Sequence, residues 1–269
     1  MRYITLAISF VIIFVSCEQN KTSTDKECCN DSKSNNNHLT FATIYQQHAP
    51  EYKALCIQAY NTAKKELEDN VLNAKFEKAP AIILDLDETV LDNSPYEAKC
   101  ILDNINYPEK WEEWINKANA GLIPGAEDFL NFAKNNDIEI YYISNRKNKY
   151  IQQTINNLKL HNLPYADSLH ILLRKDSSSK KSRRAKVLET KSIVMLIGDN
   201  LNDFTDLFEL ETNELRSEKV EEFSSLFGSK YIILPNPMYG EWEKAILNGS
   251  YKHSKEERDS LYKTSLIDF

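Results

Sequence analysis

The sequence predicts an α/β fold in which a parallel sheet is flanked by helices. Five short apolar runs are spaced along the chain with the texture of strands buried on both faces: Ala81–Leu84, Ile138–Ile143, Leu169–Leu173, Ser192–Ile197 and Tyr231–Leu234. Stretches of helical periodicity separate the later runs, at about 125–136, 147–160, 180–191 and 214–227. Strand and helix in alternation argue for a sheet covered on both sides. Right-handed crossovers then bring the carboxyl ends of the strands to one edge, where open α/β sheets bind their ligands.

Taken from the N-terminus, the chain opens with one Arg and an uninterrupted apolar run from Ile4 to Val15. A positive start, a short apolar core and a small residue before the cut describe a secretory signal over residues 1–16, too short to span a bilayer comfortably. Phe14-Val15-Ser16-Cys17 resembles a bacterial lipobox, with Phe14 where Leu is usual, and implies lipidation of Cys17. Residues 17–38 contain almost nothing apolar and are expected to be a flexible tether. The body, residues 39–269, starts with a helical stripe through Tyr52, Leu55, Cys56, Ala59, Tyr60, Ala63, Leu67 and Val71, with Pro50 near a helix start. After the first strand the alternation breaks. About 94–124 carries Tyr96, Tyr107, Trp111 and Trp114 at partly helical spacing and reads as a small helical cap insertion; Glu241 to Phe269 reads as added peripheral helices.

Composition narrows the function. Lys and Arg number 33 against 40 Asp and Glu, a formal charge of −7, which argues against a nucleic-acid polymer as partner. It leaves phosphate chemistry open, because a bound cation reverses the local field. Of the five Cys, an exported chain permits Cys28, Cys29, Cys56 and Cys100 to pair, in a connectivity the sequence does not reveal; Cys56 and Cys100 are equally well read as packed thiols. The five His show no ligand spacing, and the basic run Lys180 to Arg184 reads as a solvated helix face apart from Lys180. Arg146 and Arg184 are minor candidates for holding anions.

The chemistry-bearing residues stand where the apolar runs stop. Asp85 and Asp87 follow the first run at i and i+2, so both project into the ligand edge. Ser144-Asn145-Arg146 ends the second run, Lys180 opens the helix after the third, and Asp199 and Asp203 follow the fourth. Asp-x-Asp-x-Thr after a hydrophobic strand, then Ser, then Lys, then two acids resembles the four motifs of the haloacid dehalogenase-like phosphohydrolases. Leu84 to Tyr96, Ser144-Asn145-Arg146-Lys147, Lys175-Asp176-x-Ser178-x-Lys180, Gly198-Asp199-Asn200-Leu201-x-Asp203-Phe204 and Leu234-Pro235-Asn236-Pro237-Met238-Tyr239-Gly240-x-Trp242 resemble the class C bacterial acid phosphatases, often outer-membrane lipoproteins. Ser144 stands where those proteins carry Thr, and Glu88 where they carry Gln.

The resemblance implies a haloacid dehalogenase-like, Rossmann-like sheet and hydrolysis of phosphate monoesters, including nucleoside 5′-monophosphates. Asp85 would be the nucleophile and Asp87 the general acid and then base, its pKa expected to be raised by neighbouring acids. One Mg²⁺ per chain would be held by the Asp85 and Asp199 carboxylates and the Asp87 carbonyl, with Asp203 binding through water or orienting Lys180. Ser144, Asn145 and Lys180 would hold the phosphate, and Trp111 and Tyr239 would clamp an aromatic leaving group. The expected setting is the cell envelope, on the outer membrane through lipid at Cys17. Transfer of the phosphoryl group to an alcohol on the same scaffold, or a surface lipoprotein that only binds a ligand, are the alternatives.

Overall fold

The computed structural model describes residues 37–269. The signal, Cys17, Cys28, Cys29 and nearly all of the tether lie outside the described residues. No helix among the described residues is long and apolar enough to cross a membrane.

The sheet contains five parallel strands: β1 (Pro80–Leu84), β4 (Glu139–Lys147), β5 (Ile171–Arg174), β6 (Ser192–Gly198) and β7 (Tyr231–Ile233), in spatial order β5-β4-β1-β6-β7. A second, two-stranded ribbon pairs β2 (Leu91–Asp92) with β3 (Gly121–Leu122). Sequence and structure agree on all five long strands. They differ at the ends: β4 runs four residues past Ile143, with its register against β5 shifting between Ser144 and Lys147. That irregularity re-aims the residues that follow the strand.

Side chains on successive residues of the strands enter opposite layers. Ile82, Leu84, Met195 and Ile197 enter a core shared with Tyr52, Cys56, Tyr60, Phe129 and Leu130, whereas Ile83 and Leu196 enter a second one with Val187, Phe204, Phe208 and Tyr231. The helices that supply these layers are α2 (Pro50–Glu66), α5 (Ala126–Asn135), α6 (Ile151–Leu160) and α7 (Lys181–Leu188). The parallel ladder puts β1 at the centre. The chain moves outward from it to β4 and β5, then crosses to β6 and β7 on the other side. This reversal sets a crevice beyond the carboxyl end of β1, flanked by the ends of β4 and β6.

The N-terminal helical stretch divides in two. A short helix α1 (Asn37–His48) is followed by α2, which starts at Pro50, where the missing N–H costs nothing. Of the expected stripe, Leu55 is 44% exposed, beside Ile233 and Pro235 at the sheet edge. The chain between β1 and α5 folds back as α3 (Ser94–Asp103) and α4 (Trp111–Lys117), and the remaining helices are α8 (Asn213–Glu222), α9 (Glu241–Ile246) and α10 (Lys255–Thr264). Cys56 and Cys100 are both buried, and no disulfide joins the two.

Tyr60 fastens α2 to the turn that carries the acidic motif: its hydroxyl donates to the Thr89 carbonyl at 2.6 Å, in full burial. A Tyr60→Phe substitution leaves that carbonyl without its donor. The expected cost is about 1–2 kcal/mol, read as a lower urea midpoint and a melting temperature lower by roughly 2–8 °C. An unchanged midpoint would show that the turn is held without this bond.

Candidate active site

The turn from Asp85 to Leu91 follows β1 without a break in hydrogen bonding. Asp85 N–H donates to the Ile197 carbonyl at 2.9 Å, which ties the start of the turn to β6. The Leu86 carbonyl receives the Val90 and Leu91 N–H groups at 2.9 and 2.8 Å and closes the turn. Glu88 sits in the left-handed region, φ 59°, at its tip. Asp85 and Asp87 both face a cavity of about 1300 Å³ that also reaches Asn145, Lys180, Asp199, Asp203, Trp111 and Tyr239. Ser144 is fully buried beneath its floor.

Carboxylate oxygens of Asp85, Asp199 and Asp203 lie within 4.8 Å of one another. Lys180, from the start of α7, is buried with them and ion-pairs with Asp85 and, at 2.6 Å, with Asp203. Burial alone would lower the pKa of that ammonium, but Asp203 and Asp85 hold it above its ordinary value. One lysine does not balance three acids. Burial pushes the Asp85 carboxyl upward against the pull of Lys180, with Asp203 and Asp199 adding to the rise. Asp199 is pushed up to about 8, by burial first and Asp203 next. A pit of hard oxygens short of positive charge suits a hard divalent cation, so these residues fit a metal of that class.

Each acid is aimed by a named neighbour. Asp203 accepts the Asn200 N–H at 3.1 Å with one oxygen and turns the other to Lys180. Asp203 thus contacts Lys180 while standing in the same acidic cluster as Asp85 and Asp199. Gly198 makes this possible, because a Cβ there would sit 2.3 Å from Asp203 Oδ2. Asp199 is held by the Asn236 amide at 2.8 Å and the Thr89 hydroxyl at 3.3 Å. Arg184 donates to the backbone carbonyls of Asn202 and Asp203 at 3.1 Å, and so braces the acidic loop from behind. Neither Arg184 nor Arg146 is free to hold an anion as expected.

Arg146 is the larger surprise. Its Nε and Nη2 grip Asp87 at 3.0 and 2.8 Å, and the Ser144 hydroxyl and Asn93 amide donate to the same carboxylate at 3.1 and 2.8 Å. The expectation of a raised Asp87 pKa is therefore corrected. Burial does push it up, but Arg146 and these donors outweigh burial and lower it. The sequence reading counted the nearby acids and missed a guanidinium 59 residues away.

Asn145 lies at the surface of the β4 end, its side-chain oxygen accepting from Arg183 at 2.7 Å. Arg183 also donates to the Ser144 carbonyl at 2.6 Å and to Ser178 and Ser179 carbonyls at 3.2 Å, binding the β4 end to the loop before Lys180. Trp111 stands edge-on to Tyr96, 4.9 Å between ring centroids, with the Arg146 guanidinium 6.0 Å from its own ring. Tyr239 points its hydroxyl at Glu88. Both aromatics line the same cavity, whereas Tyr96 is buried and Trp114 is spent on the Asn93 side chain at 2.8 Å.

Glu88 escaped the sequence reading, which gave it no task. It is 0% exposed and accepts from Gln46, from the Asn93 backbone and side chain, and from Tyr239. Burial nonetheless raises it to about 8. Its departure from Gln was the visible signal.

The family described as HAD superfamily, subfamily IIIB (Acid phosphatase) matches residues 12–242. A solved structure of the class C acid phosphatase from Bacillus anthracis is 43% identical, covering 88% of this chain and 99% of its own, with a TM-score of 0.84. A second structure of that enzyme, with tungstate bound, is also 43% identical, covering 87% and 98%, with a TM-score of 0.83.

The Arg146–Asp87 pair yields a pH prediction. Arg146 depresses the Asp87 pKa, so removing the guanidinium raises it, and Asp87 then carries a proton at higher pH. Where a protonated Asp87 limits the rate, Arg146→Met moves the upper limb of the pH–rate profile to higher pH. A limb that stays in place would detach Asp87 from the profile.

Proposed function

The chain belongs to the class C acid phosphatases of the HAD superfamily, and on that premise we propose a covalent, Mg²⁺-assisted route for its hydrolysis of phosphate monoesters. It is a phosphomonoester hydrolase acting on small-molecule phosphates. The observation that carries the finer reading is the convergence of Asp85, Asp199, Asp203 and Lys180 in one buried pit, beside an Asp87 that faces the same cavity.

Asp85 is the nucleophile. Its carboxylate oxygen bonds to phosphorus as the bond from phosphorus to the leaving oxygen breaks, giving an aspartyl-phosphate. Asp87, two residues on, gives its proton to the leaving oxygen, then takes one from the water that attacks the aspartyl-phosphate, and inorganic phosphate departs. Arg146 keeps the free Asp87 ionised. An arriving phosphate dianion opposes that pull and favours the proton. Lys180 offsets charge on the phosphoryl oxygens and the backbone N–H at Asn145 donates to them, whereas the Ser144 hydroxyl, expected from the sequence to bind phosphate, is buried and spent on Asp87. Mg²⁺ held by Asp85, Asp199 and the Asp87 carbonyl would supply the charge stabilisation that one lysine does not. The relative's tungstate is a tetrahedral dianion like phosphate and supports an oxyanion pocket here.

Trp111 and Tyr239 on the cavity wall support an aromatic leaving group, and so nucleoside 5′-monophosphates among the substrates. The N-terminal lipobox supports work at the cell envelope, tethered through Cys17 to the outer membrane.

Asp85→Asn is expected to lower kcat on the order of 10³-fold or more while the circular dichroism spectrum stays unchanged. Rapid quenching of the wild type with labelled substrate should leave phosphate on Asp85. A folded Asp85→Asn protein with substantial turnover would end the covalent route.

Metal removal gives a second test with a worked sign. Asp199 sits at about 8 when folded, against an ordinary value near 4. Its contribution to stability is therefore intact below about 4 and is lost as pH rises through 8. A bound cation requires the ionised form, so Mg²⁺ should raise the melting temperature of chelated protein more at pH 8 than at pH 5 and should restore activity. Full activity after exhaustive chelation would exclude the metal.

A further inference from the structure

One buried carboxylate in the active-site cavity has neither a task in this chemistry nor a hydrogen-bond donor among the described residues. Glu97 lies on α3, one helical turn beyond Asn93, and its N–H donates to the Asn93 carbonyl at 3.2 Å. Asn93 is the residue whose amide touches Asp87 at 2.8 Å. Glu97 is therefore displaced from the proton donor by roughly one turn of helix, about 6 Å along the axis. Its side chain is 9% exposed and lines the cavity.

No donor reaches the Glu97 carboxylate among the described residues. The other buried carboxylates facing the cavity are all answered: Asp85 and Asp203 by Lys180, and Glu243 by the Tyr262 hydroxyl at 2.7 Å. Asp87, partly open to the cavity, has Arg146. Arg258 also lines the cavity, but its field falls on Glu243, not on Glu97. Burial lifts Glu97 to about 7, with the Glu243 charge as the next cause, as befits an acid without a counter-charge. A buried carboxylate left unpaired costs free energy unless a ligand supplies the partner.

Glu97 is also electrically close to the leaving-group wall. Burial and then the Glu88 charge raise the Tyr239 hydroxyl most, and Asp87, Asp199 and, last, Glu97 add to them. Asp85, Asp87, Glu97, Trp111 and Tyr239 all line this one cavity, and Glu97 follows Asn93, the neighbour of Asp87, by one helical turn.

We propose that Glu97 is a specificity residue that receives a cationic group at the far end of the leaving group, so that monoesters bearing an ammonium are preferred substrates. This rests on the reading that Asp87 protonates the leaving oxygen, because that fixes which way the leaving group extends. The ammonium donates to the Glu97 carboxylate, a charge-assisted bond to a side chain that is itself buried.

A matched substrate pair isolates this effect. O-phosphotyramine and 4-ethylphenyl phosphate share the aryl ester and differ in a terminal ammonium. The wild type should favour O-phosphotyramine in kcat/KM by about tenfold or more, the worth of one charge-assisted bond, and should disfavour the matching aryl ester that ends in a carboxylate. Glu97→Gln, close in shape and without charge, should bring the ratio of the two esters near one; Glu243→Gln, at a carboxylate already answered by Tyr262, should preserve it. A wild-type ratio near one would overturn the proposal without needing any variant, and so would a preference that survives Glu97→Gln. Failure of the phosphatase chemistry itself would look different: neither ester would be turned over.

Discussion

The site is organised around a shortage of positive charge. Three aspartates from the ends of β1 and β6 converge on one buried lysine, and that lysine already bridges two of them. Carboxylates this close do not all stay ionised in a water-poor pit without a further cation. The surrounding structure serves to keep them there nonetheless. Gly198 has no Cβ to keep Asp203 at a distance, Arg184 grips the loop carbonyls, and Asn236 and Thr89 hold Asp199. The free energy spent in gathering these charges makes sense if the site is completed by a divalent cation and a phosphoryl group.

A second electrostatic unit runs beside the first with the opposite balance. Asp87 has a guanidinium, a hydroxyl and an amide directed at it, more donation than a single carboxylate needs. Two acids two residues apart are thus driven in opposite directions, Asp85 up and Asp87 down. Sequence proximity alone suggested that they would raise each other. What separates them is the β4 end, which sends Arg146 to one and leaves Lys180 of α7 to the other. Pushing apart the behaviour of two neighbouring acids is how one short turn supports two distinct roles.

The fold was legible because a parallel sheet writes itself into the chain. A strand covered on both faces must be apolar throughout, so Ala81–Leu84 and Ser192–Ile197 announce themselves. Boundaries were less legible: β4 continues through Ser144-Asn145-Arg146-Lys147, polar residues whose strand pairing depends on a register shift against β5. Asp85, Asp199 and Lys180 could be placed in one site because topology gathers strand ends regardless of side-chain detail. The partners that tune them could not be placed. Arg146 reaches Asp87 across 59 positions and Tyr239 reaches Glu88 across 151, and no local pattern encodes such pairings. Leu55 fell outside the core for a related reason: helical spacing marks a stripe, but only the packed sheet decides how wide a stripe it covers.

Glu88 links these observations into a mechanical argument. It sits at the tip of the catalytic turn in a left-handed backbone conformation, with four donors converging on its carboxylate. Two of those donors belong to Asn93, whose amide also holds Asp87, and one belongs to Tyr239, on the cavity wall. The acid that handles the proton and a ring that faces the leaving group are therefore fixed to the same buried group. A glutamine has one carbonyl oxygen and an NH₂, so it cannot accept on both sides as the carboxylate does. Ionised, the Glu at this position accepts from Tyr239 and Asn93 on both oxygens, which an amide could not; burial raises it to about 8, so that advantage belongs to the ionised form. Rigidity at the point where proton donor and leaving group meet is what in-line phosphoryl transfer demands, because the chemistry depends on position more than on reactive groups.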